Sequence, residues 1–134
     1  HQKNPIILDE LREVDFAVWT GLPWDEVKDR FQTSAFLWLG HLERGLIAEA
    51  ESVPQFRGRV ESALKGLLAD CPGQTVAVVC HGGVIRMLLA LLLDMPLQKM
   101  AAFEIDYASV SIVDCGPSKT EIRLLNFTPW REGV

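Results

Sequence analysis

The segment that most constrains this chain is Thr75–Leu93, TVAVVCHGGVIRMLLALLL. Val76-Ala77-Val78-Val79 shows no polar alternation, the mark of a strand covered on both faces. The strand predicted over Thr75–Cys80 stops on His81-Gly82-Gly83. An apolar helix over Val84–Leu93 follows and ends at Met95-Pro96. A doubly covered strand running into a helix belongs to a sheet with helices packed on it. The junction places an imidazole and two flexible glycines over a helix N-terminus. The free amides and dipole there favour an anion such as phosphate.

The rest of the chain supplies elements for such a fold. Pro5–Leu8 is a short extended candidate, continued with alternation by Leu11–Phe16 and broken by Gly21 and Pro23. Pro23 suits the first turn of a helix, Asp25 and Glu26 suit its positive end, and Trp24, Val27 and Phe31 share one face. A helix over Pro23–Phe31 is therefore predicted. Thr33–Leu39 reads as a second short helix, and His41–Ser52 as loop or frayed helix. Ser52 caps the clearest helix, Pro54–Asp70, in which Phe56, Val60, Ala63, Leu64, Leu67 and Leu68 keep a 3.6-residue period before Cys71-Pro72-Gly73 stops it. Ser109–Asp114 and Glu121–Phe127 are strands flanking a hairpin signal at Gly116–Lys119. The expected fold class is α/β: a three-layer α/β/α sandwich with a mostly parallel sheet and an antiparallel late strand.

Composition narrows the function classes. The 134 residues, 49% hydrophobic and 23% charged, fit one globular domain. With net charge −5 and scattered cations, nucleic acid is not an expected partner. The apolar helix is too short to cross a bilayer. Cys71, Cys80 and Cys115 are odd in number and have no metal-ligand spacing. They read as buried reduced thiols of a cytoplasmic protein, with no metal and no cofactor expected.

Few residues are candidates for chemistry. His81 is either a structural histidine closing a strand or a ligand-facing one, and the glycine pair favours the second because it lets backbone approach a ligand. Glu13, before an aromatic and glycine-bearing turn, reads from its neighbours as a solvated carboxylate. Arg86, one turn into the helix, either reaches an anion or faces solvent. Arg57 and Arg59 read as surface charges, and Trp19, Trp24 and Trp38 as core or pocket wall. Cys80 lies in a buried run, which argues against a nucleophilic thiol.

Together these segments resemble the histidine phosphatase superfamily, the phosphoglycerate-mutase-like enzymes. Val76–Val84, VAVVCHGGV, is similar to its second-histidine motif, and Leu11–Gly21, LREVDFAVWTG, to its L-x-E-x-D-F-G-x-W-E-G segment. Glu51-Ser52 with Phe56 and Arg59-Val60 resembles the G-E-S segment opening a helix. Asp106–Ser111 resembles the late strand, and Leu124-Leu125-Asn126 the final one. The matches run in the family's order along nearly the whole chain. The compact Glu13–Gly21 segment is closer to the phosphatase branch, the alpha-ribazole phosphatase-like enzymes, than to the mutases.

The resemblance implies a mechanism. A histidine in an Arg-His-Gly motif attacks phosphorus, and the phosphohistidine is then hydrolysed. Carried over by position, Glu13 is the catalytic proton donor, and His81 with Gly82 binds the phosphate of a small phosphorylated metabolite. Three departures stand out. This chain contains no Arg-His-Gly motif, Ala17 and Thr20 replace a usual Gly and Glu, and Ala50 replaces the Gly before Glu51-Ser52. Residues 1–134 therefore read as the carboxyl-terminal part of one phosphoglycerate-mutase-like domain, lacking the attacking group that covalent catalysis needs. The family's first strands would flank Val76–Cys80. Without them, orphaned backbone groups cost on the order of 1–3 kcal/mol each. The expectation is that another strand, from this chain or from a second molecule in a homodimer or strand exchange, pairs with Val76–Cys80 on at least one edge. The alternatives to hydrolysis are an inactive phosphate-site remnant serving as a binding or interaction module, and a phosphoglycerate mutase.

Overall fold

The computed structural model describes residues 4–34 and 37–130. Their elements are a single 3-10 turn at Asp9–Leu11, another at Ala17–Trp19, helices α1 (Trp24–Phe31), α2 (Trp38–Glu43), α3 (Val53–Asp70) and α4 (Gly82–Leu92), a 3-10 helix at Leu97–Ala102, and strands β1 (Val110–Cys115) and β2 (Thr120–Phe127).

The long helix forms as its sequence dictates. Ser52 accepts from the Gln55 amide through its hydroxyl, while the Gln55 side chain accepts from the Ser52 amide, a complete capping box with Pro54 in the first turn. Phe56, Val60 and Ala63 on its inner face are buried. α4 buries Val84, Met87, Leu89 and Ala90. α3 packs on α4 and on the Asp9–Leu11 turn, and α4 packs on the Leu97–Ala102 helix, where Met100 is buried. Each of the large residues closed off here, Phe56, Met87 and Met100, contributes about 1.5–3 kcal/mol by leaving water. α1 follows Pro23, as predicted. The second short helix expected over Thr33–Leu39 falls partly on residues 35 and 36, outside the described residues, and the helix observed there is α2, starting at Trp38.

The hairpin also forms. β1 and β2 pair antiparallel, from Val110 opposite Phe127 to Cys115 opposite Thr120, and the Gly116 amide closes the turn on the Lys119 carbonyl at 2.9 Å. Among the described residues this two-stranded sheet is the whole of the β-structure.

Two expected strands are absent. Pro5–Leu8 forms none, and neither does its expected continuation Leu11–Phe16, since Asp9–Leu11 is a 3-10 turn and residues 12–16 form no strand. The Thr75–Cys80 segment is likewise no strand, and none of its backbone groups bonds to another segment among the described residues. Val79 is 97% exposed, and Val76 and Val78 are well exposed. The expected pairing of Val76–Cys80 with another strand of this chain is thus not formed. β1 and β2 pair only with each other, neither outer edge reaches the segment, and α3 and α4 cannot supply ladder partners. Residues 75–79 are exposed, so their unpaired groups are open to water rather than buried.

The cysteine expectation holds in part. All three are free, Cys71 and Cys80 are half-buried, and Cys115, at the end of β1 and clear of the core, is exposed rather than buried.

Candidate active site

Glu13 meets the N-terminus of α4, the helix that His81 caps. His81 is the N-cap residue of α4, with extended backbone and an exposed ring, and its carbonyl accepts the first helical bond from the Ile85 amide at 2.8 Å. Two residues on, the Gly83 amide donates to Oε2 of Glu13 at 3.1 Å, and Oε1 of Glu13 accepts from the Val14 amide at 3.0 Å. The Glu13 carboxylate thus sits on a free amide of the helix N-terminus, one of the groups that an α-helix leaves without an internal partner.

Both glycines make room for side chains. A Cβ at Gly83 would lie 2.5 Å from Oε1 of Glu13, and one at Gly82 would lie 3.1 Å from Nη1 of Arg86. Arg86 is half-buried, and its Nε donates to the Phe103 carbonyl at 2.8 Å. Burial pulls its guanidinium below the ordinary value, opposed by the charges of Glu13 and Glu104. Arg86 is thus anchored on the Phe103 carbonyl and not a wholly solvated charge. Cys80, immediately before His81, has its thiol pushed up by burial and by the Glu13 charge, against a hydrogen bond with the His81 backbone that lowers it. A raised pKa keeps the thiol protonated, so it is no activated nucleophile.

Arg59 is not the surface charge expected from its neighbours. Its side chain is only 10% exposed and paired with an equally enclosed Glu51. Nε and Nη2 donate to the two oxygens of Glu51 at 2.6 and 2.7 Å. Nη1 donates to the carbonyls of Glu10 and Arg12 at 2.6 and 2.7 Å, and Nη2 to that of Glu13 at 3.0 Å. Sequence contained a signal for this. Arg59 is three residues after Phe56 and four before Ala63, on the buried face of α3, whereas Arg57 is off that face and pairs with Glu61 in solvent.

Glu13 also lines a cleft of about 270 Å³ walled by Phe16, Trp19, Trp24 and Val27. Phe16 meets the rings of Trp24 and Trp38 edge-on at 5.9 and 5.5 Å. Trp19 and Trp38 are buried and Trp24 is 41% exposed, so the tryptophans are core and pocket wall, as predicted. His41, the other histidine among the described residues, bonds Thr33 through Nε2 at 2.8 Å in α2. No group of three His, Cys, Asp or Glu side chains among the described residues is placed to hold a metal ion. Among the described residues no helix is long and apolar enough to cross a membrane.

The sequence model of the histidine phosphatase superfamily (branch 1) matches residues 1–128. The chain belongs to the histidine phosphatase superfamily. It is 28% identical over 120 residues to phosphoserine phosphatase 1 of Hydrogenobacter thermophilus, covering 90% of this chain and 57% of that protein. Against the adenosylcobalamin/alpha-ribazole phosphatase of Escherichia coli K12 it is 27% identical, covering 90% of this chain and 59% of the relative. The crystal structure of the alpha-ribazole phosphatase from Shigella flexneri superposes with a TM-score of 0.72 at 26% identity, over 90% of this chain and 59% of that one. The α/β fold is thus that of histidine phosphatases, and the chain spans less than three-fifths of the length of these relatives.

Proposed function

We propose that the native protein carrying this sequence hydrolyses a small phosphate monoester without a metal, through a phosphohistidine. The observation that carries this reading is the meeting of Glu13 and the His81-Gly82-Gly83 corner at one helix terminus, 70 positions apart for the bonded pair. The phosphatase names of the relatives support the same class. His81 and the Gly82 amide hold the phosphate, with Arg86 lending positive charge beside them. A histidine from outside these 134 residues attacks phosphorus. As the new N–P bond forms, the ester P–O bond breaks, and Glu13 gives its proton to the leaving oxygen. Water then attacks phosphorus, Glu13 takes a proton from it, the N–P bond breaks, and phosphate leaves.

The same geometry orders the substrate. With phosphate at the α4 terminus and the leaving oxygen at Glu13, the alcohol portion lies in the Phe16–Trp24 cleft that Glu13 also lines. That favours an alcohol with an apolar or planar part. In the complete domain the valine-rich Thr75–Cys80 segment is a strand of a three-layer sandwich, paired on both edges by strands outside residues 1–134. A cytoplasmic location fits this reading.

The test is turnover of p-nitrophenyl phosphate and of β-glycerophosphate by the native protein in EDTA. His81→Ala is expected to reduce both by orders of magnitude. Glu13→Gln is expected to slow β-glycerophosphate far more than p-nitrophenyl phosphate, whose leaving group needs little protonation. No turnover, turnover abolished by EDTA, or equal loss for both substrates in Glu13→Gln overturns the proposal.

A further inference from the structure

Nothing in a sheet holds Glu13. The residues around it form no strand, and the nearest regular element is the single turn Asp9–Leu11. Its backbone is fixed instead by one side chain, Arg59, reaching across from α3. A guanidinium has five N–H donors in a rigid planar fork. Arg59 spends two on Glu51 and three on the carbonyls of Glu10, Arg12 and Glu13, so all five are engaged. Glu51 is itself tied to the segment just beyond. Its amide donates to the Asp15 carbonyl at 2.9 Å, and its Oε2 accepts from the Asp15 amide at 3.4 Å. The pair therefore grips both sides of Glu13, and Arg59 is rooted in α3, the longest helix among the described residues, with the guanidinium 4.9 Å from the Phe56 ring centre.

We infer that Arg59, oriented by Glu51, is a positioning residue that sets the Glu13 carboxylate at the N-terminus of α4. The inference rests on the proposed role of Glu13 as proton donor. Its physical content is geometric. With its carbonyl held by Arg59 and one oxygen held by the Val14 amide, the Glu13 side chain has one direction left for Oε2, toward the Gly83 amide. Loosening the carbonyl lets the carboxylate wander by a fraction of an ångström or more. Misplacement on that scale is known to cost up to about a hundredfold in rate. A lysine cannot substitute. Its three donors radiate from one nitrogen and cannot bridge a carboxylate edge and three carbonyls in one plane.

The experiment compares Arg59→Lys, Glu13→Gln and the unaltered native protein in two readouts. The first is kcat for β-glycerophosphate against p-nitrophenyl phosphate. Arg59→Lys is expected to lower the former roughly tenfold more than the latter, within the range that misplacement of a catalytic group produces. The second is the Gly83 amide resonance in a ¹⁵N-correlated NMR spectrum, which reports the Glu13 contact whatever the chemistry. Arg59→Lys is expected to shift it in the same direction as Glu13→Gln. Should Arg59→Lys prove unfolded, Glu51→Gln, which keeps the shape and removes the charge, is measured in its place. If the leaving-group effect is absent in Glu13→Gln as well, the proton-donor reading fails, and the Gly83 resonance alone decides the positioning role. An unmoved Gly83 resonance in a folded Arg59 or Glu51 variant overturns the inference.

Discussion

The Gly83 amide and the Glu13 carboxylate meet at 3.1 Å although 70 positions separate them, and the meeting depends on the missing Cβ of Gly83. An added methyl would stand 2.5 Å from Oε1 of Glu13, closer than real methyl groups approach, and 3.2 Å from its Cδ. What must yield is the end of a flexible side chain, so the fold has little to lose. An alanine in a helix is favoured over glycine by about 0.5–1 kcal/mol. Gly83→Ala is therefore expected to keep or raise the melting temperature while lowering turnover of alkyl phosphates by the native protein at least tenfold. Calorimetry and steady-state kinetics on the same preparation check it, and an alanine variant with unaltered turnover would remove Glu13 from the chemistry.

Ala17 adopts φ +45°, in the left-handed region where a Cβ is strained. It is held there by its amide, which donates to Oδ1 of Asp15 at 2.9 Å, and by the turn that delivers Trp19 to the core. The L-x-E-x-D-F-G pattern that Leu11–Gly21 resembles has glycine at this point. Ala17→Gly relieves strain of about 1–2 kcal/mol and gives back part of it as unfolded-state entropy. The expected outcome is a gain of up to about 1 kcal/mol in urea unfolding. A loss of stability would show that the Asp15 bond already accommodates the methyl group.

Sequence made the helices and the hairpin legible because their signals are local. The Ser52 cap, the 3.6-residue period of Phe56, Val60 and Ala63, and the Gly116–Lys119 turn each act within a few residues. Thr75–Cys80 was legible as a segment needing burial, but burial depends on partners, and among the described residues none reaches it. The site was legible in its motif residues and not in its support. Glu13 looked solvated because its sequence neighbours are charged, whereas its actual partners are Gly83 and, through its carbonyl, Arg59. Arg59 was misread beside Arg57 because charge was weighed without the helical face, which the positions of Phe56 and Ala63 define.

Cys80 links the site to pH. Burial, then the Glu13 charge, raises its thiol above the ordinary value, against the opposing His81 backbone bond. A raised folded-state value means that the unfolded chain releases this proton first. The stabilising contribution is thus fully present below the unfolded value, about 8.5 for a free thiol, and is lost as pH rises through the folded one. Stability of the folded chain is expected to fall more steeply above that pH than in Cys80→Ala. Urea unfolding at a series of alkaline pH values gives the two slopes, and identical slopes would refute the assignment. Alkylation by iodoacetamide is expected to reach exposed Cys115 before Cys80.

The last expectation concerns the valine segment. In the 134-residue chain Val76–Cys80 has no ladder partner among the described residues, and Val79 is almost wholly in water. An amide without a protein acceptor and open to solvent exchanges its hydrogen without any unfolding event. The amides of Val76–Cys80 are therefore expected to exchange with deuterium within seconds, while those of Phe56 and Val60 on the buried face of α3 stay protected. If, as proposed, the native protein adds flanking strands, the same amides are expected to be protected there, because a strand with two apolar faces is stable only when both edges are bonded. Hydrogen–deuterium exchange of the two polypeptides, read by mass spectrometry on the peptides spanning this segment, makes the comparison. Size-exclusion chromatography with light scattering accompanies it. Protection in the 134-residue chain at a dimer mass would mean that a second copy supplies the missing edge. Protection at a monomer mass would mean that a strand of this chain pairs with the segment after all.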